Sequence, residues 1–381
     1  MASVSMGSEH TLILDSTGCV WSCGTGDYGI LGHGNEDDVA TPTKIAWGGE
    51  RTPTPVIVAV SAGTGHSGAV DAEGNLYMWG YNGFGQLGIG DTETRLAPIR
   101  VPVVSPSGER EVVVGLSLGM RASAVITASG ALYTCGDGEY GRLGHGDFEP
   151  RMEFTWVEGL GGRVVNSVSM SESAVGAVTA QGELYTWGYG KMGNLGHGHM
   201  TNPNPTIPRV RESGYDYSRD WLFPKRVDAL LEMDVHVASV SLGPEHSGCI
   251  SASGDLYTWG EAAHGETGHG NTDDSFVPEK VSFFDALQGS VVLLNVGSDH
   301  TGVVVQQHHA LGGGGGGGGG GCDVGGSGGD GGESGGDVSA LRDRVAELET
   351  LLDNEITRNN SLSERLAVVE VLLLDILNGR K

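Results

Sequence analysis

Two groups of residues in this chain have types and spacings that could support binding or catalysis. They are the glycine-rich loops and the histidines. Three segments, beginning at Gly24, Gly136 and Gly188, spell Gly-x-Gly-x-x-Gly, the spacing of loops that hold nucleotide phosphates. That fingerprint needs a strand before it and a helix after it. Here Leu-Gly and a turn follow each segment instead. We therefore interpret these glycines as turn residues with positive φ, and we predict no nucleotide or other cofactor.

Eight of the thirteen histidines fall at two repeated positions, and the pattern is typical of a structural role. The first set is His10, His66, His246 and His300, and the second is His33, His145, His197 and His269. We expect both sets to hydrogen-bond backbone between neighbouring repeats. No Cys-x2-Cys pair or His-Glu-x-x-His motif accompanies them, so the sequence predicts no metal site. No nucleophile–base–orienter set can be assembled, so we predict no catalytic residues and no enzyme.

A stretch of fifteen residues that contains the glycine loop and the second histidine occurs five times. The copies are residues 20–34, 76–90, 132–146, 184–198 and 256–270. Each copy has a Leu/Tyr/Trp-type strand that ends at a glycine, then the loop, and then a Leu-Gly-His-Gly-type sequence. The departures are few, and one of them is Thr267 in place of leucine. A repeat of this kind determines the fold before any single motif does.

Each repeat divides into four short strands, which predicts an all-β fold. The first strand is β-branched and apolar, and the second follows a glycine turn. The third alternates Leu/Thr with Tyr/Trp, and the fourth opens with a proline (Pro42, Pro98 or Pro278). Four strands at a period above fifty residues are typical of β-propeller blades. The sequence predicts five full blades and the first two strands of a sixth, at 291–296 and 300–305.

The order of these motifs resembles the regulator of chromosome condensation repeat. It runs glycine, His-Ser/Thr, turn glycine, Leu-Tyr-x-Trp-Gly, six residues and Leu-Gly-His-Gly, over about residues 2–306. Ala122 and Ala174 depart from it by replacing the first histidine. The resemblance implies a propeller, which has seven blades in members of that family; fewer are encoded here.

Three classes of function are implied by the resemblance. The first is a non-enzymatic scaffold for protein partners, and we favour it. The second, our alternative, is a guanine-nucleotide exchange factor for a Ran-like small GTPase; the short blade count and the lack of a basic tail argue against it. The third is an ultraviolet photoreceptor with Gly-Trp-Arg-His-Thr at the blade start. The corresponding segments here read GTGHS, GMRAS, GPEHS and GSDHT, so we exclude that class.

Composition limits the classes of partner and the cellular compartment that we expect. The formal net charge of −26 disfavours binding to nucleic acid, because phosphates would be repelled. The five cysteines are scattered, and Cys23 and Cys135 stand where other repeats have tryptophan, so we expect small buried thiols and not disulfides. Neither a signal peptide nor an apolar stretch of about 20 residues is visible, so we predict no membrane association. We expect a cytoplasmic protein, with the nucleus as the alternative.

The fourth repeat carries an insertion of 18 residues near 199–220. Arginine and aromatic side chains in and beside it are of the types that dominate interfaces, and a loop on a rigid scaffold is a common place for function. The partner-binding candidates are Arg209, Arg211, Tyr215, Tyr217, Arg219 and Trp221. The alternative is a solvated loop whose aromatic side chains pack back on the blade.

The C-terminal part changes character twice. We predict a propeller over residues 1–310, a glycine-rich linker over 311–337 with ten consecutive glycines, and a coiled-coil helix over 338–379. Residues at alternating steps of four and three form the predicted seam, which is apolar at nine of eleven positions and includes one asparagine that can fix register. Apart from Glu355, the seam is Leu341, Val345, Leu348, Leu352, Asn359, Leu362, Leu366, Val369, Leu373 and Ile376. We expect a homo-oligomer through this helix; a helix that packs on the propeller is the alternative.

Overall fold

The computed structural model describes residues 3–47, 54–201, 215–216, 219–287, 289–307 and 369–370. The chain divides into two units, residues 1–305 with 371–381, and residues 306–370. The described residues up to 305 belong to the first unit, and residues 306–307 and 369–370 belong to the second. The predicted glycine linker falls outside the described residues.

Antiparallel four-stranded sheets follow one another along the chain, and each corresponds to one repeat. Sheet 1 contains β1 (Ser3–Met6), β2 (His10–Leu14), β3 (Val20–Gly24) and β4 (Val39–Lys44). Sheet 2 contains β5 (Ile57–Ala62), β6 (His66–Asp71), β7 (Leu76–Gly80) and β8 (Arg95–Val101). Sheet 3 contains β9 (Val113–Leu118), β10 (Ala122–Thr127), β11 (Leu132–Gly136) and β12 (Arg151–Trp156).

The later sheets enclose the inserted segment. Sheet 4 contains β13 (Val165–Met170), β14 (Ala174–Thr179), β15 (Leu184–Gly188) and β18 (Lys225–Arg226), with the small parallel pair β16 (Met200–Thr201) and β17 (Tyr215–Asp216) between its last two strands in sequence. Sheet 5 contains β19 (Val237–Leu242), β20 (His246–Ser251), β21 (Leu256–Gly260) and β22 (Ser275–Lys280). Sheet 6 contains β23 (Gly289–Val296) and β24 (Thr301–Gln307), and the short strand β25 (Val369–Glu370) belongs to the second unit.

Helical structure is short in the part of the chain that the structure describes. The helix α1 (Asp228–Glu232) precedes sheet 5, and 3₁₀ turns occur at Asp27–Gly29, Glu139–Gly141, Glu158–Leu160, Arg219–Leu222 and Ser282–Leu287. Of the predicted coiled-coil helix, only Val369 and Glu370 are described, and they form the strand β25. The other seam residues lie outside the described residues.

The core consists of one apolar cluster between each pair of consecutive sheets. All five residues of each third strand in sheets 2 to 5 are buried, as expected for a sheet covered on both faces. The first strand of sheet 1 differs. Val4 is 60% exposed and Met6 is 67% exposed, whereas Ala62 and Leu118, at the repeat position of Met6, are buried.

The fourth strands correct one sequence prediction. Pro42, Pro98 and Pro278 were expected to open these strands, but each lies inside its strand, three residues after the first. The fourth strand is hydrogen-bonded only to the third strand in its sheet. A proline without an N–H is tolerated there, because an edge strand directs every second N–H away from the ladder. A proline therefore marks an edge strand without marking its beginning.

Candidate interaction surface

The loops after the third strands lie beside the turns that join the first and second strands. In sheet 2 the Tyr81 N–H donates to the Gly65 carbonyl at 2.8 Å, and in sheet 3 the Asp137 N–H donates to the Arg121 carbonyl at 3.0 Å. The last residue of each third strand is a glycine with φ near +100°; at Gly80 a Cβ would lie 2.7 Å from the Cα of His66. We call these turns and loops of sheets 1 to 5 the loop face.

The second histidine set fastens each loop to its own sheet. In sheet 4 the Thr186 hydroxyl donates to the Leu195 carbonyl at 2.7 Å and lies 2.8 Å from His197 Nε2. Since the hydroxyl proton points at the carbonyl, the histidine donates Nε2–H to the hydroxyl oxygen. Sheets 1, 3 and 5 repeat this arrangement with His33, His145 and His269. These bonds lie within one sheet, so the prediction that this set connects neighbouring repeats was wrong.

The first histidine set does connect neighbouring sheets, but through a hydroxyl. His66 Nε2 of sheet 2 lies 2.8 Å from the Ser123 hydroxyl of sheet 3, which donates back to the Gln86 carbonyl of sheet 2. The same chain of bonds runs from His10 through Ser67, and from His246 through Thr301. The backbone contact that we predicted is therefore made by the serine or threonine that follows in the motif.

Burial keeps these histidines neutral. It lowers the pKa of His66 to about 3 and that of His10 to about 4. The Nδ1 atoms of His10, His66 and His246 are buried and have no hydrogen-bond partner, so a second proton there would have no acceptor. Burial also lowers the pKa of His197, in the second set, to about 3. These neutral rings fix the loop face to the sheets beneath it.

A serine of each first strand adds a further bond between sheets. The Ser61 hydroxyl of sheet 2 accepts from the Leu118 N–H of sheet 3 at 3.1 Å. Equivalent bonds join the other consecutive sheets of the described chain: Ser5 with Ala62, Ser117 with Met170, Ser169 with Leu242, and Ser241 with Val296. The sequence analysis did not identify these serines, although their recurrence before the end of each first strand was visible.

Aromatic side chains and an arginine meet on the loop face of sheets 1 to 3. The rings of Tyr28 and Tyr81 are 4.9 Å apart, and those of Tyr81 and Phe84 are 6.0 Å apart. The Arg121 guanidinium lies 4.5 Å above the Phe84 ring and within 4.0 Å of the carboxylates of Asp137 and Glu139. Tyr28 is 51% exposed and has φ of +58°, so its ring is held on a strained backbone.

A second aromatic pair lies on sheets 3 and 4. Tyr140 stacks on Tyr189 with the ring centres 4.8 Å apart and the planes 13° apart. Tyr140 also has positive φ. The buried guanidinium of Arg142 lies 5.6 Å from the Tyr140 ring and 3.3 Å from Asp137. Both aromatic groups are thus supported by charged side chains from the neighbouring sheet or loop.

Charged groups continue the loop face on sheets 4 and 5. Lys191 Nζ lies 2.9 Å from Glu245 Oε1. A hydrogen bond with Glu245 raises the pKa of Glu261 to about 7, and it lowers the pKa of Glu245. The two carboxyl groups therefore share a proton near neutral pH. The loop face is aromatic at one side and acidic at the other.

The structure describes three of the six predicted partner-binding residues. Arg209, Arg211 and Tyr217 fall outside the described residues. Tyr215 lies in β17 and Arg219 in a 3₁₀ turn.

Trp221 is fully buried: its ring lies 4.7 Å from that of His197, and Lys225 Nζ lies 3.9 Å from its centre. For Trp221 the structure agrees with the alternative that the aromatic side chains pack back on the blade, and its assignment to a partner surface is corrected.

The aromatic residues of the loop face were not predicted from the sequence. Tyr28, Phe84 and Tyr140 occupy the variable positions of the glycine loops, and Tyr81 and Tyr189 directly follow the glycine that ends a third strand. Aromatic residues at variable positions of an otherwise constant loop were the available signal. In the described part of the chain no group of three or more His, Cys, Asp or Glu side chains could hold a metal ion.

Comparison with known proteins identifies the architecture. A family model described as RCC1-like domain matches residues 1–223, and one described as Regulator of chromosome condensation (RCC1) repeat matches residues 253–304. The chain belongs to the RCC1 repeat family. The resemblance found in the sequence is thereby confirmed, and the sheets described above are those of an RCC1 repeat β-propeller.

Among curated relatives, the ultraviolet-B receptor UVR8 of Arabidopsis thaliana is 34% identical over 308 residues, which cover 80% of this chain and 63% of the receptor. The human E3 ubiquitin-protein ligase HERC2 is 33% identical over 300 residues, which cover 78% of this chain and 6% of the ligase. The chain thus spans less than two thirds of either relative.

Solved structures confirm the fold. Human WBSCR16 matches with a TM-score of 0.64 at 20% identity, over 80% of this chain and 71% of that one. Yeast RCC1 (Prp20), solved with Kap60, matches with a TM-score of 0.63 at 24% identity, over 80% of this chain and 67% of that one. No helix of the described residues is long and apolar enough to cross a membrane.

Proposed function

We propose that this protein is a non-enzymatic scaffold whose loop face binds protein partners. The observation that carries the proposal is the group formed by Tyr28, Tyr81, Phe84 and Arg121. Aromatic and arginine side chains dominate binding energy at interfaces, and here they are fixed on rigid sheets before any partner binds. Preorganised side chains lose less conformational entropy on binding, which favours a recognition surface.

The proposed scaffold is brought to higher valency by the coiled coil predicted over residues 338–379. Linking two or more loop faces would raise the apparent affinity for multivalent partners without a new contact. We place the protein in the cytoplasm, with the nucleus as the alternative.

The alternative function is guanine-nucleotide exchange on a Ran-like small GTPase. Family membership supports it, and the solved structure of yeast Prp20p is described together with its binding properties to Gsp1p and histones; that chain is 19% identical to this one. Ultraviolet reception is not proposed, although the receptor UVR8 is a relative, because the segments GTGHS, GMRAS, GPEHS and GSDHT lack the tryptophan expected at that position.

A two-part experiment separates the two functions. Nucleotide release from a panel of Ran-like GTPases is measured with and without the purified full chain; we expect no acceleration. Proteins that copurify with the chain are then rebound, in purified form, to wild type and to Tyr81→Ala/Arg121→Ala. We expect the double variant to bind at least about tenfold more weakly, the loss of one to two hot-spot contacts.

The matched control is Val58→Ala/Val114→Ala, which changes two exposed side chains of first strands, outside the loop face. It should bind as wild type does. Catalysed nucleotide release would contradict the scaffold function and support the exchange factor. Equal binding by the two double variants would contradict the assignment of the binding surface to the loop face.

A further inference from the structure

A tryptophan of each third strand occupies the same site on the preceding sheet at three of the described sheet contacts. Trp79 Nε1 donates to the Ile30 carbonyl at 2.9 Å, Trp187 Nε1 to the Arg142 carbonyl at 3.0 Å, and Trp259 Nε1 to the Asn194 carbonyl at 2.8 Å. All three indoles are fully buried. Each ring lies on a loop glycine two residues after the accepting carbonyl.

The glycines show how closely the indoles fit. A Cβ added to Gly32, Gly144 or Gly196 would lie 2.9, 2.8 or 3.0 Å from the Nε1 atom of the respective tryptophan. The equivalent glycine of sheet 5 is Gly268, and there a Cβ would meet only Val281 within 4 Å. The site on sheet 5 thus has the same backbone but holds no indole.

A cavity of about 570 Å³ takes the place of that indole. Its lining includes Glu266, Thr267 and Gly268, which are the repeat equivalents of the carbonyl, leucine and glycine positions in the filled sites. Its apolar walls are Leu256, Val281, Phe283, Phe284 and Val303.

Charge and sequence limit what can fill the cavity. Asp299 and Glu266 line it without a lysine or arginine, and Glu266 is paired with His264 at 3.0 Å, so a basic group is favoured beside Asp299. The chain after Gln307 contains no tryptophan, tyrosine or phenylalanine and so cannot supply an aromatic ring. Trp79, Trp187, Trp221 and Trp259 are fully buried, Trp47 and Trp156 pack against the apolar clusters, and Trp21 Nε1 donates to Asp15 at 2.9 Å. All seven tryptophans are thus engaged within the chain, which disfavours a second copy as donor.

We propose that this cavity, the indole site, binds a tryptophan from an extended, basic segment of a different protein. The indole would stack on Gly268 between Val281 and Val303, and its N–H would donate to the Glu266 carbonyl, which already accepts from the Thr301 hydroxyl at 2.8 Å. The proposal rests on the scaffold function and adds to it a second docking site with defined side-chain chemistry.

The test uses the full chain and a fluorescently labelled peptide, Lys-Leu-Tyr-Thr-Trp-Gly-Lys, which copies the third strand of sheets 4 and 5 between two lysines. We expect saturable binding by fluorescence anisotropy. The same peptide with alanine for tryptophan should bind about 100-fold more weakly, as expected when a buried tryptophan is truncated. Equal binding of the two peptides overturns the proposal.

Two variants locate the site. Val303→Trp fills the cavity and should abolish binding, whereas Val304→Trp, on the next residue of β24, should leave it unchanged. If Val303→Trp does not fold, Val303→Cys serves instead. Saturating tryptophan peptide should slow alkylation of that cysteine at least about tenfold, and the alanine peptide should not.

Absence of saturable binding below about 1 mM overturns the proposal. In that case a wild-type mass larger than that of Val303→Trp would identify a second copy as the occupant, because the predicted coiled coil is common to both chains, and equal masses would identify residues of the same chain. Either result leaves the scaffold proposal standing, since the loop-face variants test it through other residues.

Discussion

At the residue scale, the described histidine–hydroxyl pairs explain why the motif reads His-Ser or His-Thr. The hydroxyl donates to a carbonyl of the preceding sheet, and the histidine of that sheet donates to the hydroxyl. Neither residue can replace the other, because only a hydroxyl both donates and accepts in one atom. The histidine–hydroxyl pair is absent at the contact between sheets 3 and 4, because sheet 4 has Ala174-Val175 at the positions of His-Ser. The Trp187 indole still donates to the Arg142 carbonyl at this contact.

The variant His66→Ala should lose stability and also lose pH dependence. Its ring has a pKa of about 3 in the folded chain, against about 6.5 unfolded. As the pH falls below about 6.5, the unfolded chain binds a proton that the folded chain does not, so stability declines by at most about 1.4 kcal/mol per pH unit from this residue. In the variant we expect a loss of about 1–3 kcal/mol near pH 7.5 that shrinks towards pH 5.

Urea unfolding at several pH values between about 7.5 and 5 measures both effects. The control is His300→Ala, which changes an exposed histidine at the same repeat position. An unchanged pH slope in His66→Ala would contradict the assignment of a neutral, buried imidazole.

At the element scale, the third strands and their loops could be predicted, and their contacts could not. The Leu-Tyr-x-Trp pattern and the glycine that ends each strand follow from local sequence, since side-chain alternation and positive φ are local properties. The partner of His66 is 57 residues away, and that of Trp187 is 45 residues away. Such pairings depend on which sheet packs on which, so the sequence predicted structural histidines but not their hydroxyl partners.

Trp221 shows the same limit at the candidate site. Its type and its neighbourhood indicated an interface, but its position under Lys225 and beside His197 is set by packing within sheet 4. Conversely, the local sequence around Tyr28 and Phe84 indicates only a glycine-rich turn. Their proximity to Tyr81 and Arg121 arises only when sheets 1, 2 and 3 are placed side by side.

Replacing a serine whose hydroxyl joins two sheets should lower the free energy of unfolding by more than is usual for a partly exposed side chain. In Ser61→Ala the buried N–H of Leu118 loses its acceptor, and we expect a loss of about 1–3 kcal/mol. Ser169→Ala should cost a similar amount at the Leu242 N–H. The two losses should add within about 0.5 kcal/mol, because the two bonds share no residue and join different pairs of sheets, 2 with 3 and 4 with 5.

Denaturant unfolding of the single and double variants measures these costs. Ser107→Ala, which changes an exposed turn serine, is the control and should be near neutral. A loss at Ser61 no larger than at Ser107 would contradict a bond between sheets.

At the scale of the whole molecule, the proposed oligomer depends on residues beyond the sheets. The seam repeats at steps of four and three, which fits helices that associate and does not fit a loop. Because a glycine-rich segment precedes it, association there would leave the loop face and the indole site accessible.

The full chain with Leu352→Glu/Leu366→Glu should be monomeric, while wild type is oligomeric, because charges in the seam would be buried unpaired. Thr350→Glu/Ser363→Glu adds the same charge beside the seam and should keep the wild-type mass. Light scattering measures all three. A wild-type monomer, or a seam variant with the wild-type mass, would contradict the coiled coil.

The serine contacts between sheets also bear on how the chain is made. Each serine of a first strand accepts from a residue more than fifty positions later, such as Ala62 for Ser5. At about 5–20 residues per second, a ribosome needs several seconds to supply that partner. During synthesis the most recently made sheet therefore has one uncovered apolar face and one serine hydroxyl whose N–H donor has not yet been made. A pause in translation within a repeat would prolong that exposure, because the next sheet covers the face fully only after its third strand, with Tyr77 and Trp79 in sheet 2, has been made.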